Sequence, residues 1–273
     1  MTRVTRVSGK TVVITGASSG LGAVLAHEFA VAGAKLVLFA RREEELLVTA
    51  DACEAVGAEV LIVPGDVVKP HDCATLVERT VDHFGSIDYL IANAGLSMWA
   101  RFDEITNPGL FWELIETNYL GVVHCLMPAL PHLVRNKGMI VAISSIQGEI
   151  GVPLHSGYVA SKHAVQGLLK TLQMELEDTG VDILTVLPHW LRGTDLRHKA
   201  LGADGLPIGN SSRSYSRESI SLQVCSKAIL QAVAQRRRKL VIPWKLRLLP
   251  WLEQIHPKLV EYIVGRAIKK QHD

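Results

Sequence analysis

Six short runs of apolar and β-branched residues, each separated by a stretch long enough for a helix, constrain this chain more than any other feature. They are Thr11–Thr15, Lys35–Phe39, Val60–Val63, Tyr89–Ile91, Met139–Ile143 and Ile183–Leu187. Their apolar character is nearly continuous rather than alternating, the pattern of strands covered on both faces. Helical segments fall near 20–33, 42–56, 70–84, 108–135 and 157–178. Parallel strands need crossover connections, so this alternation predicts an α/β fold: a doubly wound parallel sheet with helices on both faces.

No linker or repeat breaks the first 190 residues, and residues 1–243 read as one domain. Within it, 194–221 is a polar excursion with four Gly/Pro residues between 202 and 209. Long excursions in compact domains are often lids over a site. A helix near 219–235 and a strand over Lys239–Ile242 follow. Residues 244–273 form a basic amphipathic extension.

Composition narrows the function. With 29 Lys+Arg against 27 Asp+Glu and 48% hydrophobic residues, the chain can bury a core, and disorder is excluded. A formal charge of +2 supplies no broad field for a polyanion, so no nucleic-acid partner is expected. Cys53, Cys73, Cys125 and Cys225 show neither CxxC nor metal-ligand spacing, so no metal site is expected and they read as buried thiols of a reducing compartment. The N-terminal charges are not followed by an apolar signal core, and no 18-residue apolar run occurs. A soluble, cytoplasmic chain is the expectation.

The first strand runs into Thr15-Gly16-Ala17-Ser18-Ser19-Gly20-Leu21-Gly22 and then a helix. Glycines there allow a tight turn, close backbone approach to a pyrophosphate and a helix N-terminus aimed at the anion. Downstream stand Asp66 after the third strand, Asn93-Ala94-Gly95 after the fourth, Ser145 after the fifth and Tyr158-Val-Ala-Ser-Lys162. The last pair lies four residues apart, on one helix face, where a cation favours the phenolate.

Over roughly residues 8–195 this set resembles the short-chain dehydrogenase/reductase family, in its compact TGxxxGxG/YxxxK subgroup. The resemblance implies a Rossmann-like fold and an enzyme interconverting a ketone or aldehyde and an alcohol by hydride transfer. It implies a catalytic tetrad of Asn118, Ser145, Tyr158 and Lys162. Tyr158 would act as acid/base, Ser145 would bond the reacting oxygen, Lys162 would serve phenol and nicotinamide ribose, and Asn118 would order a relay water. Cofactor contacts carry over to Gly16, Ser18, Ser19, Gly20, Leu21, Gly22, Asp66, Val67, Asn93, Ala94, Gly95, Tyr158, Lys162, Pro188 and Thr194. The alternative is a nucleotide-binding sensor or scaffold of the same fold without efficient turnover. The full tetrad favours the enzyme.

Cofactor choice is read at the end of the second strand, where NAD-binding members place an acid. Here Ala40 is followed by Arg41 and Arg42, guanidinium groups suited to a 2′-phosphate, so NADP(H) is expected. The other reading is that both arginines begin a solvated helix with Glu43, Glu44 and Glu45. One departure stands out. After the sixth strand the family continues Pro-Gly, with a Thr five positions past the Pro. This chain has Pro188-His189-Trp190-Leu191-Arg192-Gly193-Thr194, with His for Gly and the Thr one residue late. His189 faces substrate or is a hydrogen-bonded structural histidine.

Met98, Trp99, Gln147, Leu154, His155, His189 and Trp190 fall in the segments that set selectivity in this family, and suit a lipophilic carbonyl or alcohol. A homodimer or homotetramer through the YxxxK helix and the one before it is implied. The 244–270 segment interleaves Lys and Arg with Trp and Leu. It either lies on a membrane surface or packs as a terminal helix with its basic face in water.

Overall fold

The computed structural model describes residues 6–209 and 219–269. Strands β1 (Thr11–Thr15), β2 (Lys35–Ala40), β3 (Val60–Pro64), β4 (Tyr89–Ala92), β5 (Met139–Ile143) and β6 (Asp182–Pro188) form in the expected places. A short pair, β7 (Leu191–Arg192) and β8 (Ile220–Ser221), precedes β9 (Lys239–Ile242). Seven strands make one parallel sheet in the order β3-β2-β1-β4-β5-β6-β9. The chain leaves β3 at one edge and re-enters as β4 beside β1. At that reversal the loops after β1 and β4 diverge and open a crevice.

Helices α1 (Gly20–Val31), α2 (Glu43–Glu54), α3 (Pro70–Phe84), α4 (Gly109–Ile115), α5 (Gly121–Asn136), α6 (Ser156–Glu175) and α7 (Leu222–Ala234) cover both faces. Strand residues alternate between two cores. Val12, Ile14, Leu36 and Leu38 pack with Leu25, Phe29, Leu46 and Ile229; Val13, Val37 and Phe39 pack with Leu76, Leu126, Leu133 and Val165. Burial on both sides explains why these runs carry no polar alternation.

Three places depart from a plain reading of the sequence. The helix expected over 108–135 is divided: α4 passes through one π-helical turn, Glu116–Leu120, into α5. Such turns recur at functional sites, and this one carries Asn118. The excursion leaves and returns through the parallel β7–β8 pair. Its described part is stitched to the loop after β4: Leu201 N donates to Ser97 O (2.9 Å), Trp99 N to Leu201 O (2.9 Å) and Thr106 N to Ala203 O (2.9 Å). The remainder, 210–218, lies outside the described residues. After β9 the tail forms a 3-10 turn, Trp244–Leu248, then α8 (Leu249–Ile255) and α9 (Pro257–Lys269).

Candidate active site

The crevice above β1 and β4 is a cleft of about 390 Å³. Every residue assigned to the cofactor from sequence lines it except Gly22. Gly22 works from behind the loop. A Cβ there would stand 2.2 Å from Gly16 O and 2.7 Å from Asn93 Nδ2. The helix start therefore packs on the turn with no room for a side chain.

The loop after β4 is tied to β1. Asn93 Nδ2 donates to Thr15 O (3.0 Å) and Gly16 O (3.3 Å), while Thr15 Oγ1 accepts from Asn93 N (3.0 Å) and Ala94 N (3.1 Å). At the far end, Arg42 Nη2 donates to Ser18 Oγ (3.3 Å) and Ser19 Oγ (3.2 Å), and Arg42 Nη1 to Glu45 (2.7 Å). Arg41 Nη1 stands 3.9 Å from the Asp66 carboxylate and is mostly exposed. Both arginines line the cleft, and Arg42 is at the same time the N-cap of α2, whose first turn carries Glu43, Glu44 and Glu45.

At the other end Ser145, Tyr158 and Lys162 line the cleft, while Asn118 does not; all four are buried. Ser145 caps a 3-10 turn, its Oγ accepting from Gln147 N (3.2 Å), and lines the cleft beside Tyr158. Lys162 Nζ donates to Ile143 O (3.0 Å) and stands 5.6 Å from the Tyr158 ring centroid. Burial pushes the Tyr158 phenol up to about 12, against the opposing pull of the nearby Ser145 hydroxyl. Burial brings Lys162 down to about 8. The ammonium that sequence reasoning gave the task of lowering the phenol does not outweigh this desolvation.

Asn118 is spent on the scaffold. Its Nδ2 donates to Leu96 O (3.0 Å) and Ser161 Oγ (2.9 Å), and its Oδ1 accepts from Leu96 N (2.7 Å). With both N–H groups used, the side chain locks the loop after β4 to α6. Ser161 was missed from sequence, although it stands inside the YxxxK motif.

Among the substrate candidates, Met98, Trp99, Gln147, His155, His189 and Trp190 line the cleft. Leu154 does not. It sits at φ 68° and its carbonyl accepts from Ala100 N (3.0 Å), so its part is in the loop's path. Trp99, His155 and Trp190 make edge-to-face contacts at 5.0–5.8 Å between centroids, with the Arg197 guanidinium 5.5 Å from the Trp190 ring. Arg197 belongs to the excursion and was not predicted. Burial brings His189 down to about 4, which keeps its imidazole neutral, and its buried Nδ1 has no hydrogen-bond partner. His189 N donates to Ile242 O (2.8 Å), extending the pairing with β9. No metal-binding cluster occurs among the described residues.

A family model for short chain dehydrogenase matches residues 10–203. This chain belongs to the short-chain dehydrogenase/reductase family, a family of oxidoreductases. Its similarity to 11-beta-hydroxysteroid dehydrogenase A of Arachis hypogaea is 35% identity, covering 94% of this chain and 74% of the relative. To 11-beta-hydroxysteroid dehydrogenase-like 4A of Arabidopsis thaliana it is 36%, covering 93% and 83%. Two solved structures superpose well. A Burkholderia phymatum short chain dehydrogenase/reductase in complex with NAD has a TM-score of 0.81 at 25% identity, covering 93% of this chain and 95% of that one. A Thermococcus sibiricus alcohol dehydrogenase complexed with 5-hydroxy-NADP has 0.73 at 26%, covering 86% and 96%.

The contact behind Gly22 gives a direct test. Gly22→Ala should cost about 1–3 kcal/mol of stability by overpacking and weaken dinucleotide binding, read by thermal melting and by titration of the dinucleotide.

Proposed function

We propose that this protein is an NADP(H)-dependent oxidoreductase interconverting a lipophilic ketone or aldehyde and the corresponding alcohol. The observation that carries the reading is the buried Ser145–Tyr158 pair, with Lys162 beside it, at one end of a cleft that has two arginines at the other. A sensor that only binds nucleotide has no use for that pair. The cleft fits a dinucleotide phosphate: the glycine turn admits backbone approach, Ala40 stands where NAD-binding members put an acid with Arg41 and Arg42 directly after it, and Ser18 lies within reach of Arg42. When bound, the nicotinamide supplies the hydride.

The protein's part is to place the carbonyl and manage its proton. Tyr158, holding its proton across the neutral range, delivers it to the carbonyl oxygen as charge develops there, because an alkoxide is a stronger base than a phenolate. Ser145 hydrogen-bonds the same oxygen and stabilises its developing charge. Lys162 holds a positive charge below about pH 8 next to the phenol. The Trp99–His155–Trp190 cluster with Met98 supports a lipophilic substrate. A homodimer through α5 and α6 belongs to the same reading, supported by the exposed Met127 and Met174 and the open surface over Gly167 on those helices.

Following NADPH absorbance across a panel of aldehydes and ketones tests the function. Tyr158→Phe should lower kcat roughly 10²–10⁴-fold while NADPH affinity stays close to normal; retained turnover would remove Tyr158 from its role. Ala40→Asp with Arg41→Ser should move the NADPH/NADH affinity ratio at least about tenfold towards NADH, measured by direct titration. The pH profile of reduction has a set sign. Lys162 is charged below about 8 and neutral above, so kcat/KM should be flat below that pH and fall about tenfold per unit above it.

A further inference from the structure

The two faces of the tail have different fates. Leu246, Leu249 and Val264 pack on a cluster of Ile146, Ile150, Leu187 and Val241, and Val260 and Ile268 are buried. Facing outward, Trp244, Leu248, Trp251, Ile255, Leu259 and Tyr262 recur every three or four residues and all are exposed, Trp244 by 68% and Trp251 by 71%. One large apolar side chain per turn across three consecutive elements is not the scattered exposure of an ordinary soluble surface. The charged residues between Trp244 and Lys269 are Lys245, Arg247, Lys258, Arg266 and Lys269 against Glu253 and Glu261.

We propose that this tail is a peripheral docking surface for an anionic lipid membrane. Its Trp and Leu side chains enter the headgroup–acyl boundary while its Lys and Arg meet lipid phosphates. Charge selects this occupant. A second copy pairing about a two-fold axis would set these five cations against the same five, where interface cores are depleted of charge. The rest of the chain is no candidate either, since the tail already packs on it through its inward face. The tail lies on the surface rather than crossing it: the helix breaks at His256 (φ −136°, ψ 69°), and no helix among the described residues is long and apolar enough to span. Tryptophan favours this boundary, with one end apolar and the other wet. The inward face rests on Ile146, itself a cleft residue, which makes the docking surface and the substrate side of the cleft one packed unit.

Flotation of the full-length chain with vesicles tests it. On phosphatidylcholine vesicles with about 30% phosphatidylserine at about 0.05 M salt, most of the protein should float. On pure phosphatidylcholine, or at about 0.5 M salt, flotation should fall at least about fivefold. Leu248→Glu with Trp251→Glu, both at exposed positions, should abolish flotation and leave the melting temperature unchanged. The proposal is overturned by absence of flotation at low salt, by equal flotation of the double variant, or by equal flotation on neutral vesicles. It is also overturned if light scattering shows the double variant splitting a dimer, which would assign the surface to a second copy.

Discussion

The cleft depends on a four-bond tie between the ends of β1 and β4. Where a parallel sheet reverses its strand order, the loops above the two central strands part company, and backbone polar groups at both lips lose their neighbours. Here Thr15 and Asn93 satisfy them reciprocally, each side chain serving the other's backbone. That tie also holds Asn93 Nδ2 against the back of the glycine turn, which is why Gly22 has no space for a Cβ. The glycine turn and the Tyr158 end of the cleft are thus held in register by the fold itself. Asn118 then repeats the device one layer up, joining the loop after β4 to the helix that carries Tyr158 and Lys162.

Burial of Tyr158 and Lys162 has two consequences that pull in opposite directions. It raises the phenol and lowers the ammonium, disfavouring the charged form of each. A loaded phenol is suited to giving a proton away during reduction and poorly suited to taking one at neutral pH. The lysine's ammonium, donating to Ile143 O, is the group whose charge changes near physiological pH. Within the proposed function, that arrangement suits delivery of a proton during reduction better than removal of one at neutral pH.

How much of this was legible in the residues varied with the range of the interactions involved. The six central strands and their crossover helices were readable because burial on both faces leaves an apolar run that nothing else explains. That the glycine turn, Asn93, Ser145, Tyr158 and Lys162 would come together along one cleft was readable because each is a short local pattern at a fixed place in the alternation. What escaped depends on contacts between segments distant in sequence. The π-turn at Asn118 breaks no apolar periodicity. The Arg197 contact with Trp190 requires the excursion to fold back on the loop after β4, and Leu154 lies in the right loop but faces elsewhere. Tail exposure was undecided because an amphipathic pattern says which face is apolar, not whether something covers it.

The 188–194 segment shows how a local rule can be broken and the geometry kept. Glycine after the strand-six proline offers backbone freedom, and the histidine here has none to spare. Yet His189 has no positive φ; its N–H stays in the ladder with β9, so the chain leaves the strand without needing that freedom. The left-handed residue comes instead at Gly193, φ 84°. That turn carries Thr194, one position late, to the mouth of the phosphate loop, where a Cβ on Gly20 would lie 3.8 Å from its own Cβ. One inserted step and one relocated glycine offset each other. The space released at 189 holds a neutral imidazole with an unpartnered Nδ1, a buried polar atom of the kind that a native site keeps only at a cost. The departure therefore changes the chemistry lining the cleft without moving the threonine out of reach of the turn.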